Sequence, residues 1–408
     1  MHQKDRYYSG LFYLKRLILL MHDTIKNPTY YALIAALIIL YFVYSSGLGG
    51  TLYYDDFRPI SGLGNIVDLN SKIAYVLGET SGPLGRPISM LTFLANQNDW
   101  PDNVHNILLF NIILHCINAV IVFFLCNLII KLHDRKIRKT EIFALSASML
   151  WMFSPLLIST SLIAVQRMAG LSALFVFLGL TLYLSCFKFQ KINEKVRLVL
   201  QMLVIGTFTT LAMLSKENGI LLPVFALVIE LTILRENSLS KKYKQLRIIS
   251  FSMCLSIIIA YLAHSTGNTE QSYMSRSFTM TERLFTQPVI LFEYVRLAFI
   301  PDMFSYRPFH DNYQHFSSPY ELKPLLAIIA LFSLFLIAVI KIKKIPLFSF
   351  AVFWFISAHL LESTNLSLEL YFEHRNYVAL LGPCIAIAVF LQKIPERYKN
   401  LSITIFSL

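Results

Sequence analysis

The sequence predicts an all-α, polytopic membrane protein, and three observations carry that expectation. Of 408 residues, 56% are hydrophobic and only 15% charged, whereas soluble domains sit near a quarter charged. Mean hydropathy is +0.58. The apolar residues recur in blocks of about 20, the length a helix needs to cross a bilayer, and short basic stretches separate the blocks. That composition excludes an ordinary soluble enzyme.

About ten transmembrane helices are expected, over residues 30–47, 104–130, 142–157, 168–187, 198–214, 219–234, 248–263, 324–340, 345–361 and 376–391. The first follows a basic segment (Lys4, Arg6, Lys15, Arg16, Lys26) and lacks a small-residue cleavage site, so it reads as a retained span. In the second, Asn111, His115 and Asn118 share one stripe at about 100° per residue, suited to hydrogen bonding between helices. The fourth opens just after Arg167, and a tight turn with Lys216-Glu217 joins the fifth to the sixth. The ninth closes on His359-Leu360-Leu361-Glu362, and Glu369 to Tyr377 lead into the tenth. Two connections are long, 48–103 and 265–323; both hold aromatic and apolar residues and are expected to fold. Within the second, 289–300 is too short to cross and is interrupted by Glu293 and Arg296, which predicts an amphipathic helix lying at the interface. The organisation expected is a cytoplasmic N-terminal segment 1–29, a transmembrane domain 30–400 and a C-terminal end 401–408.

If the N-terminus is cytoplasmic, the inner segments hold 25 of the 36 Lys and Arg, while 16 of the 24 acidic residues fall on the outer side. That asymmetry follows the positive-inside rule. The net charge of +12 is therefore topological, and no nucleic-acid partner is expected, because the cations form no continuous surface. The five cysteines lie inside apolar runs with neither disulfide nor zinc spacing.

Candidate chemistry gathers on the outer side. Asp55 and Asp56 stand between aromatics in Tyr53-Tyr54-Asp55-Asp56-Phe57, where low dielectric raises a carboxylate's pKa as a general base requires; a solvated turn is the plain alternative. Arg86, held by Pro87, is suited to pairing with Asp55 or Asp56 or with an anionic head group, or to snorkelling. His105 is a weaker candidate for substrate contact. Arg167 opposes the positive-inside bias, and an anionic ligand would explain it. Lys216 and Glu217 favour an internal ion pair. The titratable groups from His359 to Arg375, with Glu373 and His374 among them, must pair with each other or with a substrate. Their spacings match no strong ligand template, so no cofactor is implied with certainty, and a divalent metal is an open but not favoured alternative.

Taken in order, these segments resemble the GT-C superfamily of membrane glycosyltransferases, and within it the TMTC-like and bacterial pilin glycosyltransferase branch. The resemblance runs through Tyr54-Asp55-Asp56, Arg86-Pro87-Ile88-Ser89, Asn103-Val104-His105-Asn106, Gln166-Arg167 and Leu214-Ser215-Lys216-Glu217-Asn218-Gly219. It continues through Thr281-Glu282-Arg283, Phe309-His310-Asp311 and Glu369 to Tyr377. Ser154-Pro155 stands where many relatives carry a His-Pro stretch. The resemblance implies a GT-C-like fold in a bacterial inner membrane, with the site facing the periplasm. It also implies a polyprenyl-phosphate-linked sugar donor, surrounding membrane lipids and a periplasmic protein acceptor, plausibly a pilin. Asp55 or Asp56 would take the acceptor proton, and Arg86, Arg167 and Arg375 would hold the departing phosphate, giving inversion. Arg283, His310, Asp311, Lys216, Glu217, Glu373, His374 and His105 complete the candidate pocket. The alternatives are a glycan polymerase or ligase using the same donor class, and a transporter or flippase. The latter is disfavoured because ionisable residues gather at span ends and not near the midplane.

Overall fold

The computed structural model describes residues 27–80, 82–134, 136–137, 139–188, 192–235, 240–265, 269–310 and 312–393. Residues 1–26 of the expected N-terminal segment, and the end 401–408, lie outside them. Among the described residues every regular element is a helix.

α1 (Pro28–Ser45) starts where Pro28 needs no N–H partner and Asn27 caps the first turn, its Oδ1 accepting from Thr29 N at 3.0 Å. The first long connection folds into α2 (Tyr54–Ile60), α3 (Leu69–Leu77) and α4 (Pro87–Phe93). α5 (Val104–His133) is the central helix, packed by α1, by α6 (Thr140–Met152) and by α8 (Arg167–Ser185). α7 (Ile158–Leu162) lies between the last two. α9 (Glu194–Met213), α10 (Leu222–Thr232) and α11 (Lys241–Ser265) follow. The second long connection holds α12 (Thr269–Tyr273) and α13 (Met280–Phe299). α14 (Leu322–Lys341), α15 (Pro346–Ala358), α16 (Asn376–Ala379) and α17 (Leu381–Lys393) close the chain.

Among the described residues six helices are long and apolar enough to cross a membrane, and up to eight spans result if each of two bent pairs counts as one. The expected ten is corrected accordingly. Residues 142–157 do not run through: α6 stops at Met152 because Pro155 lacks an N–H and holds Ser154 extended, and the chain turns by 59° into α7. Residues 373–391 bend by 58° before Gly382-Pro383. α10 has 11 residues and α15 has 13, about 16 and 20 Å at 1.5 Å per residue against a hydrocarbon core of about 30 Å. Hydropathy registers their apolar character but not what covers it. α10 is buried on every side from Leu222 to Glu230, so protein, not lipid, surrounds it.

The expected amphipathic helix is present but begins nine residues earlier, at Met280. A capping box between Thr279 and Glu282 starts it. Its buried face, Arg283, Thr286, Gln287, Ile290, Leu291, Tyr294 and Leu297, follows the helical repeat and opens with polar residues that an apolar run omits.

The polar stripe of α5 ties the bundle together as expected. His115 Nδ1 lies 2.7 Å from the Tyr377 hydroxyl, its Nε2 3.1 Å from the Met152 carbonyl oxygen, and Asn118 Nδ2 donates to Gly170 O at 3.0 Å. Trp151 Nε1 donates to Tyr377 O at 2.7 Å. These bonds clamp both bent pairs onto α5 and α8. Both long connections, the 214–221 turn and residues 359–375 meet at one end of the bundle. The C-terminal ends of α5, α8, α10 and α14 lie at the other, basic end.

Candidate functional site

At the loop end, the 214–221 turn meets residues 359–375 around a cavity of about 40 Å³. Gly219 lets the turn close onto α9: a Cβ there would come within 2.3 Å of the Ala212 carbonyl carbon. Lys216 is thereby directed inward, its side chain only 14% exposed and its Nζ 3.9 Å from Glu362 Oε1. From the other side Arg375 brings Nε to 3.7 Å from Glu362 Oε2. Both contacts are ion pairs too long to be hydrogen bonds. Arg375 Nε and Glu362 Oε2 are buried without a hydrogen-bond partner. Asn218 and His374 complete the polar lining, while Ala169, Ala173 and Val176 of α8 supply an apolar wall.

Burial pushes the Lys216 ammonium below the ordinary lysine value, against the pull of Glu362. Burial would raise the Glu362 carboxyl, but Lys216 and Arg375 overcome it and leave the group below the usual carboxylate value.

Arg86 closes the rim. It adopts a left-handed conformation (φ 51°, ψ 45°) after Gly85, also at positive φ, and Pro87 then starts α4. This swings the guanidinium onto Glu217, with Nη2 2.8 Å from Oε2 and Nε 3.1 Å from both oxygens. Gly82 passes so near that a Cβ would lie 1.7 Å from Glu217 Oε1. Arg86 therefore pairs with Glu217, and the sequence expectation of Asp55 or Asp56 as its partner is corrected. Glu217 likewise pairs across the fold and not with neighbouring Lys216. Three cations (Arg86, Lys216, Arg375) face two carboxylates (Glu217, Glu362), so the rim carries an excess positive charge.

Asp55 and Asp56 separate. Asp56 is wholly buried; its Oδ1 accepts from Val165 N at 2.6 Å and its Oδ2 from Tyr53 N at 2.8 Å. Burial pushes its carboxyl up while these backbone N–H groups pull it down. Asp56 thus locks α2 to the turn before α8, and Asp55, on the preceding position of the helix, is exposed. Aromatic contacts lead from this turn towards the cavity: Tyr53 to Phe309 at 5.9 Å, Phe309 to Phe372 at 6.4 Å, and Phe372 to His374 at 5.0 Å.

Arg167 requires the largest correction. It is wholly buried, and each guanidinium nitrogen donates to a protein oxygen: Nε to Asn111 Oδ1 at 2.9 Å, Nη1 to Thr92 O at 3.1 Å and Nη2 to Ile107 O at 3.0 Å. Phe93 and Phe110 cover its faces at 4.2 and 4.1 Å. This arginine joins α4, α5 and α8, and its donors are committed to protein acceptors. Arg283 is similar. Wholly buried in α13, it donates to the carbonyls of Glu362, Thr364, Leu368 and Glu369. Burial, then Arg375, brings its pKa down to about 9. Arg283 shapes the loop that presents Glu362.

His310 Nε2 lies 3.1 Å from Glu373 Oε1, which also accepts from Arg307 N at 3.0 Å, so this pair joins the second long connection to the 371–375 segment. A wider cleft of about 430 Å³ opens beside it, with Phe309, Tyr313, Tyr371 and Glu293 in its walls. His105 is exposed on the first turn of α5. Asp311 lies outside the described residues. Among the described residues no three His, Cys, Asp or Glu side chains come together as metal ligands.

Glu362, the residue between Lys216 and Arg375, stands out in the sequence only as one of many titratable groups at that edge. Arg86 and Glu217, 131 residues apart, carry no sequence sign of their pairing. Comparison with protein-family models, with curated proteins and with solved structures found no match.

Proposed function

We propose that this chain is an inverting glycosyltransferase of the GT-C kind, moving a sugar from a polyprenyl-phosphate donor to a periplasmic protein acceptor, plausibly a pilin. The observation that carries the reading is the excess of positive charge at the cavity, where buried Arg375 and half-buried Lys216 face the single carboxylate of Glu362, with Arg375 Nε still lacking a hydrogen-bond partner. A phosphate entering there would complete that donor and draw Lys216 and Arg86 into charge-assisted bonds. The leaving phosphate gains negative charge as the glycosidic bond breaks, so preorganised cations stabilise the transition state more than the ground state. The apolar wall of α8 suits an isoprenoid chain. Asp55, exposed beside the aromatic path from Tyr53, is the base that takes the acceptor hydroxyl's proton; Asp56 is the residue that holds it in position. Attack by the acceptor with one base and no carboxylate nucleophile inverts the anomeric centre.

The test is binding of undecaprenyl phosphate to the purified protein. Lys216→Ala and Arg375→Ala should each weaken it about 10- to 100-fold, the scale of one charge-assisted contact, and unchanged affinity in both would remove the reading. Mass spectrometry of surface proteins from cells with and without the gene then identifies sugar and acceptor from the lost hexose or pentose mass.

A further inference from the structure

At the basic end, three separate elements converge on a second cavity, of about 140 Å³. α5 ends there with His133, the end of α10 contributes Thr232 and Arg235, and the turn between α14 and α15 contributes Lys343. Its lining carries no acidic side chain. Among the described residues, Glu230, one turn earlier on α10, is already held by Arg247 and Tyr183, and Asp134, next to His133, accepts from Lys136 N at 2.9 Å. Lys244 Nζ donates to the carbonyls of Leu234 at 2.9 Å and Arg235 at 2.6 Å, adding a further cation beneath the site. Arg235 Nη1 is buried without a hydrogen-bond partner, a costly state for a guanidinium. α15 begins at the rim with Pro346, so the positive end of its dipole adds to the field.

The surroundings are apolar. Ile233, Ile342 and Pro346 complete the wall, and Ile340 and Ile345, flanking the Lys343 turn, are 72% and 52% exposed. The geometry points to a binding site for the phosphate of an anionic lipid head group, distinct from the loop-end cavity. Arg235, Lys343 and His133 take the phosphate, and the exposed isoleucines receive the start of the acyl chains. A soluble phosphate would satisfy the cations but leave that rim uncovered, which is why a lipid is the better fit.

The experiment is native mass spectrometry of the full chain, delipidated in detergent and titrated with phosphatidylglycerol, with phosphatidylcholine and with inorganic phosphate. Phosphatidylglycerol should bind roughly tenfold or more tightly than phosphatidylcholine. The double variant Arg235→Gln/Lys343→Gln should lose that preference. Lys341→Gln, exposed at the same end but outside the cavity, should keep it, as should the charge-preserving Arg235→Lys/Lys343→Arg, which also reports on folding. Equal binding of the two lipids, or a preference that survives the double glutamine variant, overturns the site. Loss in Lys341→Gln as large as in the double variant would make it mere surface charge. Displacement by inorganic phosphate at the lipid's own concentration would overturn the lipid source.

Discussion

Two buried glutamates lie at opposite ends of the bundle, each beside an arginine, and they are held very differently. Glu230, at the basic end, accepts from Arg247 Nε at 2.6 Å and Nη2 at 3.4 Å and from the Tyr183 hydroxyl. Phe187 covers the guanidinium at 5.1 Å. Glu362, at the loop end, has its two cations at 3.9 and 3.7 Å, with one of its oxygens and one arginine nitrogen lacking partners. The first set is closed and can gain nothing from a ligand. The second holds one more cation than carboxylate and has hydrogen-bonding capacity left over. Spare capacity, more than charge or burial, therefore separates a binding site from a structural tie in this molecule.

The largest effect should come from opening the closed set. Glu230→Ala leaves Arg247 buried and unpaired, a loss of about 3–5 kcal/mol. Unfolding in detergent should register it, whereas Glu362→Gln should cost clearly less because its pairs are long. Equal losses would mean that the two sets do not differ in kind.

The same contrast recurs within one turn of α2. Asp55→Asn should leave stability within about 0.5 kcal/mol, as surface changes do, while reducing sugar transfer about 10²- to 10⁴-fold, the contribution of a general base. Asp56→Asn should instead destabilise by about 1–3 kcal/mol, since an amide N–H₂ would face a backbone donor that now has a carboxylate. Full transfer by Asp55→Asn would leave the mechanism without its base.

What could be read in the sequence follows the same division. The stripe of Asn111, His115 and Asn118 was legible because helical periodicity puts them on one face, and burial then demands partners. The break at Ser154-Pro155 was visible in composition, but an apolar run on both sides disguised it as one span. Arg167 was conspicuous as a cation against the charge bias, yet position alone cannot distinguish a guanidinium satisfied by Asn111 and two carbonyls from one awaiting an anion. Adjacent Asp55 and Asp56 look equivalent in sequence, and only the helix decides which faces inward. Glu362 with Lys216, and Arg86 with Glu217, are pairings of distant segments, for which a single chain carries no periodic signal.

A charge-preserving change at the open set distinguishes charge from shape. Lys216→Arg keeps a cation but spreads it over a planar fork. Undecaprenyl phosphate affinity should stay within about tenfold of the parent, while Lys216→Ala loses the full charge-assisted contact. A Lys216→Arg variant as weak as the alanine would mean that shape, not charge, governs the cavity.

The smallest effect lies in pH. Burial holds Lys216 below the ordinary lysine value, so it gives up its proton earlier as pH rises than a solvated lysine would. Donor affinity should be full below its folded pKa and fall as pH climbs through it. Stability should move the other way over the same window, because the unfolded chain then binds more protons than the folded one, and that difference makes stability rise with pH. Lys216→Arg, which stays charged throughout, should remove both trends and shift the alkaline limit of binding upward. Parallel titrations of undecaprenyl phosphate affinity and of melting temperature across the alkaline range separate the two. If affinity and stability fall together, alkaline unfolding accounts for the loss and the lysine is not the titrating group.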